Sequence, residues 1–190
     1  AGIRAKGRRA AVITCDLADD VAARTLVRDA AAAFGSLDIL VLNASSEHRH
    51  DWRDMPAEDF DNEVAVNLRT PLTMIAEVQG AMAARGWGRI MLVGSIQSVK
   101  PNPRLAVYAA LKAAFVNLCK TLAKDLAGSG ITVNVLSPGA IATDRNAGVL
   151  ADAAYRARVE AQIPVGRIGQ PTDCAGACLL LASDAGSYIT

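Results

Sequence analysis

"RIMLVG" (Arg89–Gly94) and "ITVNVL" (Ile131–Leu136) enclose "VYAALKAAFVNLCKTLAKDLAGSG" (Val107–Gly130), and the architecture turns on how these three pieces are read. The outer two are short, continuous apolar runs, the pattern of strands buried on both faces. Between them Leu111, Phe115, Leu118 and Leu122 recur at helical spacing and make a long stripe that ends near Gly128. A strand, a helix and a second strand of these lengths close as a parallel pair with a right-handed crossover.

The same alternation extends towards the N-terminus. "LDILVL" (Leu37–Leu42) and "AAVITC" (Ala10–Cys15) read as two further buried strands. Val27, Ala30 and Phe34 give the helix between them one apolar face, and Gly35 stops it. Pro56 suits a helix first turn, after which Phe60, Val64 and Leu68 supply the next stripe. Strict alternation predicts an α/β, doubly wound parallel sheet of three layers, the Rossmann type. Residues 1–190 read as a single domain without internal repeats or a linker.

Composition narrows the partners. With 52% hydrophobic and 21% charged residues, the chain is globular rather than disordered. A formal net charge of +1 offers no basic surface for nucleic acid, so no nucleic-acid partner is expected. No apolar run reads as a membrane span and no signal peptide opens the chain, so no membrane partner is expected either. Cys15, Cys119, Cys174 and Cys178 match neither a zinc ribbon nor a redox pair, and read as packed, inert thiols in a reducing, cytoplasmic setting. His48 and His50 in "EHRHDW" have no third ligand at metal spacing, so no metal is expected and the segment reads as a solvated loop.

The chemistry gathers around one helix. Tyr108 and Lys112 stand at i, i+4 and share a face, and Ser95 follows the strand at Arg89–Gly94. A phenol titrates near pKa ~10, and an adjacent ammonium would favour the phenolate. A serine hydroxyl nearby could hold a carbonyl oxygen beside the phenol. Such an arrangement suits proton transfer to or from an alcohol while a hydride arrives or leaves.

The spacing of Ser95, Tyr108 and Lys112, with "NVLSPG" downstream, resembles the short-chain dehydrogenase/reductase family over essentially the whole chain. The resemblance implies a catalytic tetrad of Asn67, Ser95, Tyr108 and Lys112 and an NAD or NADP cofactor. Asp16 and Leu17 match the adenine-contacting pair. Asn43, Ala44 and Ser45 occupy a cofactor-facing turn, and Pro138, Gly139, Ile141 and Thr143 match the segment that holds the nicotinamide carboxamide. Pro71 lies four residues beyond Asn67 and has no N–H, so the helix should leave the Asn67 carbonyl without its usual donor. In the family such a carbonyl holds a relay water.

Two departures from the pattern are local, and a third is larger. Leu42 and Ser45 replace an asparagine and a glycine of the cofactor-facing turn. The family's opening strand, glycine-rich turn, helix and second strand have no counterpart here, nor does its last strand, so the chain is expected to be the interior of a longer domain. That expectation places an unpaired gap between the strands at Ala10–Cys15 and Leu37–Leu42. It also leaves NAD against NADP open.

The implied activity is interconversion of a secondary alcohol and a ketone. Gln97, Asp144 and Asn146 suit a hydroxylated, sugar- or polyol-like small-molecule substrate, which Ser95 and Tyr108 would meet at its reacting oxygen, and Arg145 could hold an anionic group. A 3-oxoacyl-thioester reductase is the alternative within the class, and a non-catalytic remnant or interaction module the alternative outside it. Residues 144–166 correspond to a mobile substrate lid. The family's assembly implies a homotetramer using the Phe115 helix as a dimer seam.

Overall fold

The computed structural model describes residues 2–190. In chain order the elements are α1 (Gly2–Ala5), α2 (Asp20–Phe34), β1 (Ile39–Leu42), α3 (Ala57–Val64), a π-helical turn (Ala65–Arg69), α4 (Thr70–Arg85), β2 (Gly88–Val93), α5 (Ala106–Leu126), β3 (Ile131–Leu136), α6 (Asp144–Leu150), α7 (Ala153–Glu160) and α8 (Ala175–Leu181). The three strands form a parallel sheet in the order β1-β2-β3. Leu40 pairs with Ile90, and Ile90 in turn with Val133. β1 and β2 are each followed by a helical crossover to the next strand, so the doubly wound reading holds.

The core lies where the helices meet the sheet. Val27, Ile75, Met82, Leu92, Phe115 and Val133 are all under 5% exposed and belong to one cluster. β2 is central and buried nearly throughout, whereas β1 buries only Leu40 and Leu42. α2 begins on Asp19, whose carboxylate accepts from the Val21 and Ala22 N–H groups, and ends on Gly35 at φ 89°, a left-handed position that favours glycine.

Three expectations fail, each for a physical reason. The run Ala10–Cys15 forms no strand, and Val12 is 93% exposed. A strand exists only as half of a ladder, and no described strand lies beside this one. The outward residues of β1, Ile39 and Val41, are left 43% and 47% exposed in the same region. In α3 and the π turn the buried residues are Glu63, Ala65 and Asn67, while Phe60 is 46% exposed, so the face turned inward is a polar one. Phe34 is also exposed and is covered by the Arg9 guanidinium, 5.0 Å from its ring.

The helical segment Pro103–Ser129 is long and apolar enough to cross a membrane by composition alone, contrary to the expectation from the sequence. It packs on β3 and on the turn that follows β2, and buries Tyr108, Lys112 and Phe115 there. That burial is what a core helix of an α/β domain requires. At the end of β2, Gly94 approaches β3 so closely that an added Cβ would stand 2.5 Å from Ser137 Oγ. This approach sets the position of the next residue, Ser95.

Candidate active site

A cavity of about 940 Å³ opens at the carboxyl ends of the three strands. Asn43 follows β1, Gly94 and Ser95 follow β2, and Pro138 follows β3; all four line it. Open parallel sheets bind ligands at this edge because the loops leaving adjacent strands diverge there.

Ser95 begins a short 3-10 turn in extended conformation, and its Oγ accepts the Gln97 N–H at 3.1 Å. The Ile96 N–H donates to the Pro138 carbonyl at 2.9 Å, which ties the β2 and β3 loops together. Gln97 lines the cavity, but its Oε1 accepts the Asn102 N–H at 2.7 Å and so braces the loop ahead of α5.

α5 brings Tyr108 and Lys112 beneath that loop. Lys112 is only 2% exposed, yet it lines the cavity; its Nζ donates to the Val93 carbonyl at 3.1 Å and stands 5.5 Å from the Tyr108 ring centroid and 5.2 Å from that of Phe115. Burial, with the nearby Arg145 charge, pulls the Lys112 pKa down to about 8.

The expected depression of the Tyr108 pKa is not found. Burial raises it above the ordinary phenol value, the Ser95 and Ser45 hydroxyls and Arg145 oppose the rise, and Glu47 adds to it. Desolvation wins because the phenol is 6% exposed, and Lys112 is not among the groups that oppose it. Among the described residues no hydrogen bond of full geometry joins Tyr108 to either serine. Its hydroxyl is therefore protonated at neutral pH.

Asn67 sits at the π-helical turn that precedes Pro71. The expected helix irregularity thus takes the form of a widened turn, a feature common at functional sites. The Asn67 side chain is 1% exposed; Nδ2 donates to the Ser46 carbonyl at 2.8 Å and the Glu63 carbonyl at 3.0 Å, while Oδ1 has no partner. One turn earlier Glu63 is fully buried, its Oε1 accepting the His48 N–H at 2.6 Å and its Oε2 unpartnered. Burial raises the Glu63 pKa, and the Glu47 and Asp59 carboxylates add to the rise against the pull of His48.

The remaining expected residues divide in two. Ser45, Gly139, Ile141, Thr143 and Arg145 line the cavity. Asp16, Leu17 and Ala44 are not among its lining residues. The Leu17 carbonyl accepts the Thr70 hydroxyl at 2.6 Å, and Asp16 Oδ1 accepts the Ala18 N–H at 2.9 Å. Arg145 reaches across from α6 to the Ser45 hydroxyl at 2.8 Å and the Ser45 carbonyl at 2.7 Å.

Several lining residues escaped the sequence reading. Glu47 bridges Arg49 at 3.1 Å and Arg145 at 4.0 Å, while Lys100 and Tyr155 complete the rim. Charge pairs between distant loops leave no spacing signal. Cys174 and Cys178 also line the cavity and are partly exposed; only Cys119 is buried as expected, its thiol pushed up to about 11 by burial.

Comparison with known proteins places this geometry. The family model described as enoyl-(acyl carrier protein) reductase matches residues 2–190. The 3-oxoacyl-[acyl-carrier-protein] reductase FabG of Salmonella typhimurium is 35% identical over 175 residues, 92% of this chain and 71% of that protein. A gluconate 5-dehydrogenase from Burkholderia cenocepacia, solved with NADP and tartrate, is 33% identical with a TM-score of 0.93, covering 98% of this chain and 73% of that one. A 3-oxoacyl (acyl-carrier-protein) reductase from Agrobacterium tumefaciens, solved with NADP, is 37% identical with a TM-score of 0.87 over 92% of this chain and 68% of the other.

Proposed function

The chain belongs to the short-chain dehydrogenase/reductase family, and from that footing we propose an NAD(P)-dependent oxidoreductase that interconverts a secondary alcohol and a ketone. The observation that carries the reading is the fully buried Lys112 beneath Tyr108, both opening into the cavity that Ser95 borders. A buried ammonium with a single hydrogen bond has donors to spare, which suits a ribose hydroxyl. Pro138, Gly139, Ile141 and Thr143 would hold the nicotinamide end, with Asn43, Ala44 and Ser45 along its other side. When bound, the nicotinamide supplies or accepts the hydride.

The protein's own groups handle the proton. Ser95 orients the substrate oxygen, and the protonated Tyr108 delivers a proton to it as the carbonyl becomes an alcohol. Lys112 holds positive charge beside the phenol and restores its proton, and Asn67 continues the relay through water. Proton transfer of this kind contributes on the order of 10²–10⁴ in rate, with the larger share coming from holding the reactants in contact.

For the substrate we favour a sugar- or polyol-like molecule. The cavity rim carries Arg49, Lys100 and Arg145 against Glu47 and Asp144, which supports a hydroxylated molecule with an anionic group. Residues 144–166, with α6 and α7, would act as the lid over it, and Arg145 would share its guanidinium between Ser45 and the substrate. The likeness to the Salmonella reductase supports 3-oxoacyl thioesters as the second reading. Steady-state assays with gluconate, glucose and an acetoacetyl thioester, using NAD(H) and NADP(H) in turn, separate the two. Turnover on the thioester alone overturns the sugar reading, and turnover on none overturns both. A cytoplasmic homotetramer with the outer face of α5 in a dimer seam completes the proposal, to be checked by light scattering on the eluting protein.

A further inference from the structure

The loop between β1 and α3 carries a cluster that the reaction does not use. His48 and His50 stack with ring centroids 6.2 Å apart and planes 15° apart, and both face Asp59 on α3. His48 Nδ1 lies 3.5 Å from Asp59 Oδ1, and His50 Nε2 lies 2.7 Å from Asp59 Oδ2. One ligand atom from each residue falls within 4.8 Å of the others. Ligands about 2 Å from a tetrahedral ion lie roughly 3–3.5 Å apart, so small side-chain rotations suffice to receive one.

The hydrogen bonds around His48 say what is missing. Ser46 Oγ donates to Asn62 Oδ1 at 2.6 Å, so its contact with His48 Nε2 at 3.1 Å is met by an Nε2–H donor. A neutral His48 then turns the Nδ1 lone pair towards a carboxylate oxygen. Two acceptors 3.5 Å apart make a place that suits a metal cation. Beneath the loop, fully buried Glu63 accepts the His48 N–H through one oxygen and leaves the other unpartnered, which adds to the local excess of acceptors.

We propose that His48, His50 and Asp59 bind a divalent transition-metal ion such as Zn²⁺, with water in the fourth position. Two imidazole nitrogens and one carboxylate oxygen form a donor set suited to zinc rather than to magnesium or calcium. Ser46 orients His48 from behind, as partners of metal-bound histidines do. The ion would fasten the loop to α3. The same loop puts Glu47 and Arg49 on the cavity rim and offers the Ser46 carbonyl to Asn67.

The test is calorimetric titration of Zn²⁺ into the chelator-treated chain, with Co²⁺ absorption as a second readout. One ion per chain is expected, and both Asp59→Asn and His50→Gln should weaken it by about 10–100-fold. Circular dichroism establishes which variants fold, and either one alone carries the test. The paired Cys174→Ser, Cys178→Ser variant should bind as tightly as the parent. Absence of binding overturns the proposal. Undiminished binding in the folded histidine or aspartate variants overturns it as well, as does loss of binding in the cysteine variant.

Discussion

Lys112 Nζ stands 5.5 Å from the centroid of the Tyr108 ring and donates to the Val93 carbonyl at 3.1 Å. A buried cation therefore lies under a buried phenol at the end of the central strand, and burial acts on both: it moves the lysine pKa down to about 8 and the tyrosine pKa up. At neutral pH the phenol is therefore protonated and the ammonium, with a pKa of about 8, is still mostly charged. This is the state required for delivering a proton to a ketone.

Tyr108→Phe removes the proton donor without disturbing the ring packing. Turnover should fall on the order of 10²–10⁴, with the thermal midpoint little changed. In the parent, ketone reduction should decline as pH rises through about 8, where Lys112 loses its charge. Steady-state rates across pH 6–10, roughly the span between the usual histidine and tyrosine pKa values, check both. A first alkaline decline appearing only near the phenol range would sink the assignment to Lys112.

Lys112 costs the fold stability. Its folded pKa of about 8 lies below the ordinary lysine value of 10.5, so between those values the unfolded chain holds a proton that the folded chain has released. Stability should therefore rise with pH across that window, and below it the penalty is present in full. Lys112→Met should be inactive yet more stable than the parent at pH 7 by about 2 kcal/mol, after the loss of the bond to Val93. Urea unfolding of both at pH 7 and pH 10.5 measures the gap, which should close at the higher value. A methionine variant less stable than the parent at neutral pH contradicts this account.

Asn67→Ala keeps the backbone carbonyl but strips the amide that ties the π-helical turn to the Ser46 and Glu63 carbonyls, so the relay carbonyl loses its fixed position. The expected result is a kcat lowered by about 10-fold or more with cofactor affinity within about 2-fold, since only the proton relay is affected. Fluorescence titration of the reduced cofactor beside single-turnover kinetics reads the two separately. Normal turnover would remove Asn67 from the relay.

Gly94→Ala places a methyl 2.5 Å from Ser137 Oγ and 2.8 Å from Val135 Cγ1, so these side chains or the strand end that carries them must shift at the rim of the site. Overpacking of this kind costs about 1–3 kcal/mol, and here it also displaces Ser95. Chemical denaturation should show that loss together with a drop in kcat/KM. Unchanged stability would mean that the strand ends yield freely.

The legible part of this protein was whatever short-range periodicity encodes. The i, i+4 pair of Tyr108 and Lys112, the apolar runs that became β1, β2 and β3, and the Gly35 stop of α2 all follow from constraints within a few residues. The order of Ser95, Tyr108 and Lys112 along strand and helix already placed them at one sheet edge, where the fold brings them together.

Tertiary structure settled what depends on partners distant in the chain. Ala10–Cys15 had the composition of a strand, but a ladder needs a neighbour and none of the described strands supplies one. Phe60 looked like core and is exposed, because the side of that segment turned inward carries Glu63 and Asn67. Arg145 meets Ser45 across 100 residues of sequence, and Asp59 reaches His48 and His50 only because α3 folds back on their loop. Spacing records which residues share an element; which elements meet, and whether burial or a neighbouring charge sets a pKa, is decided by packing in three dimensions.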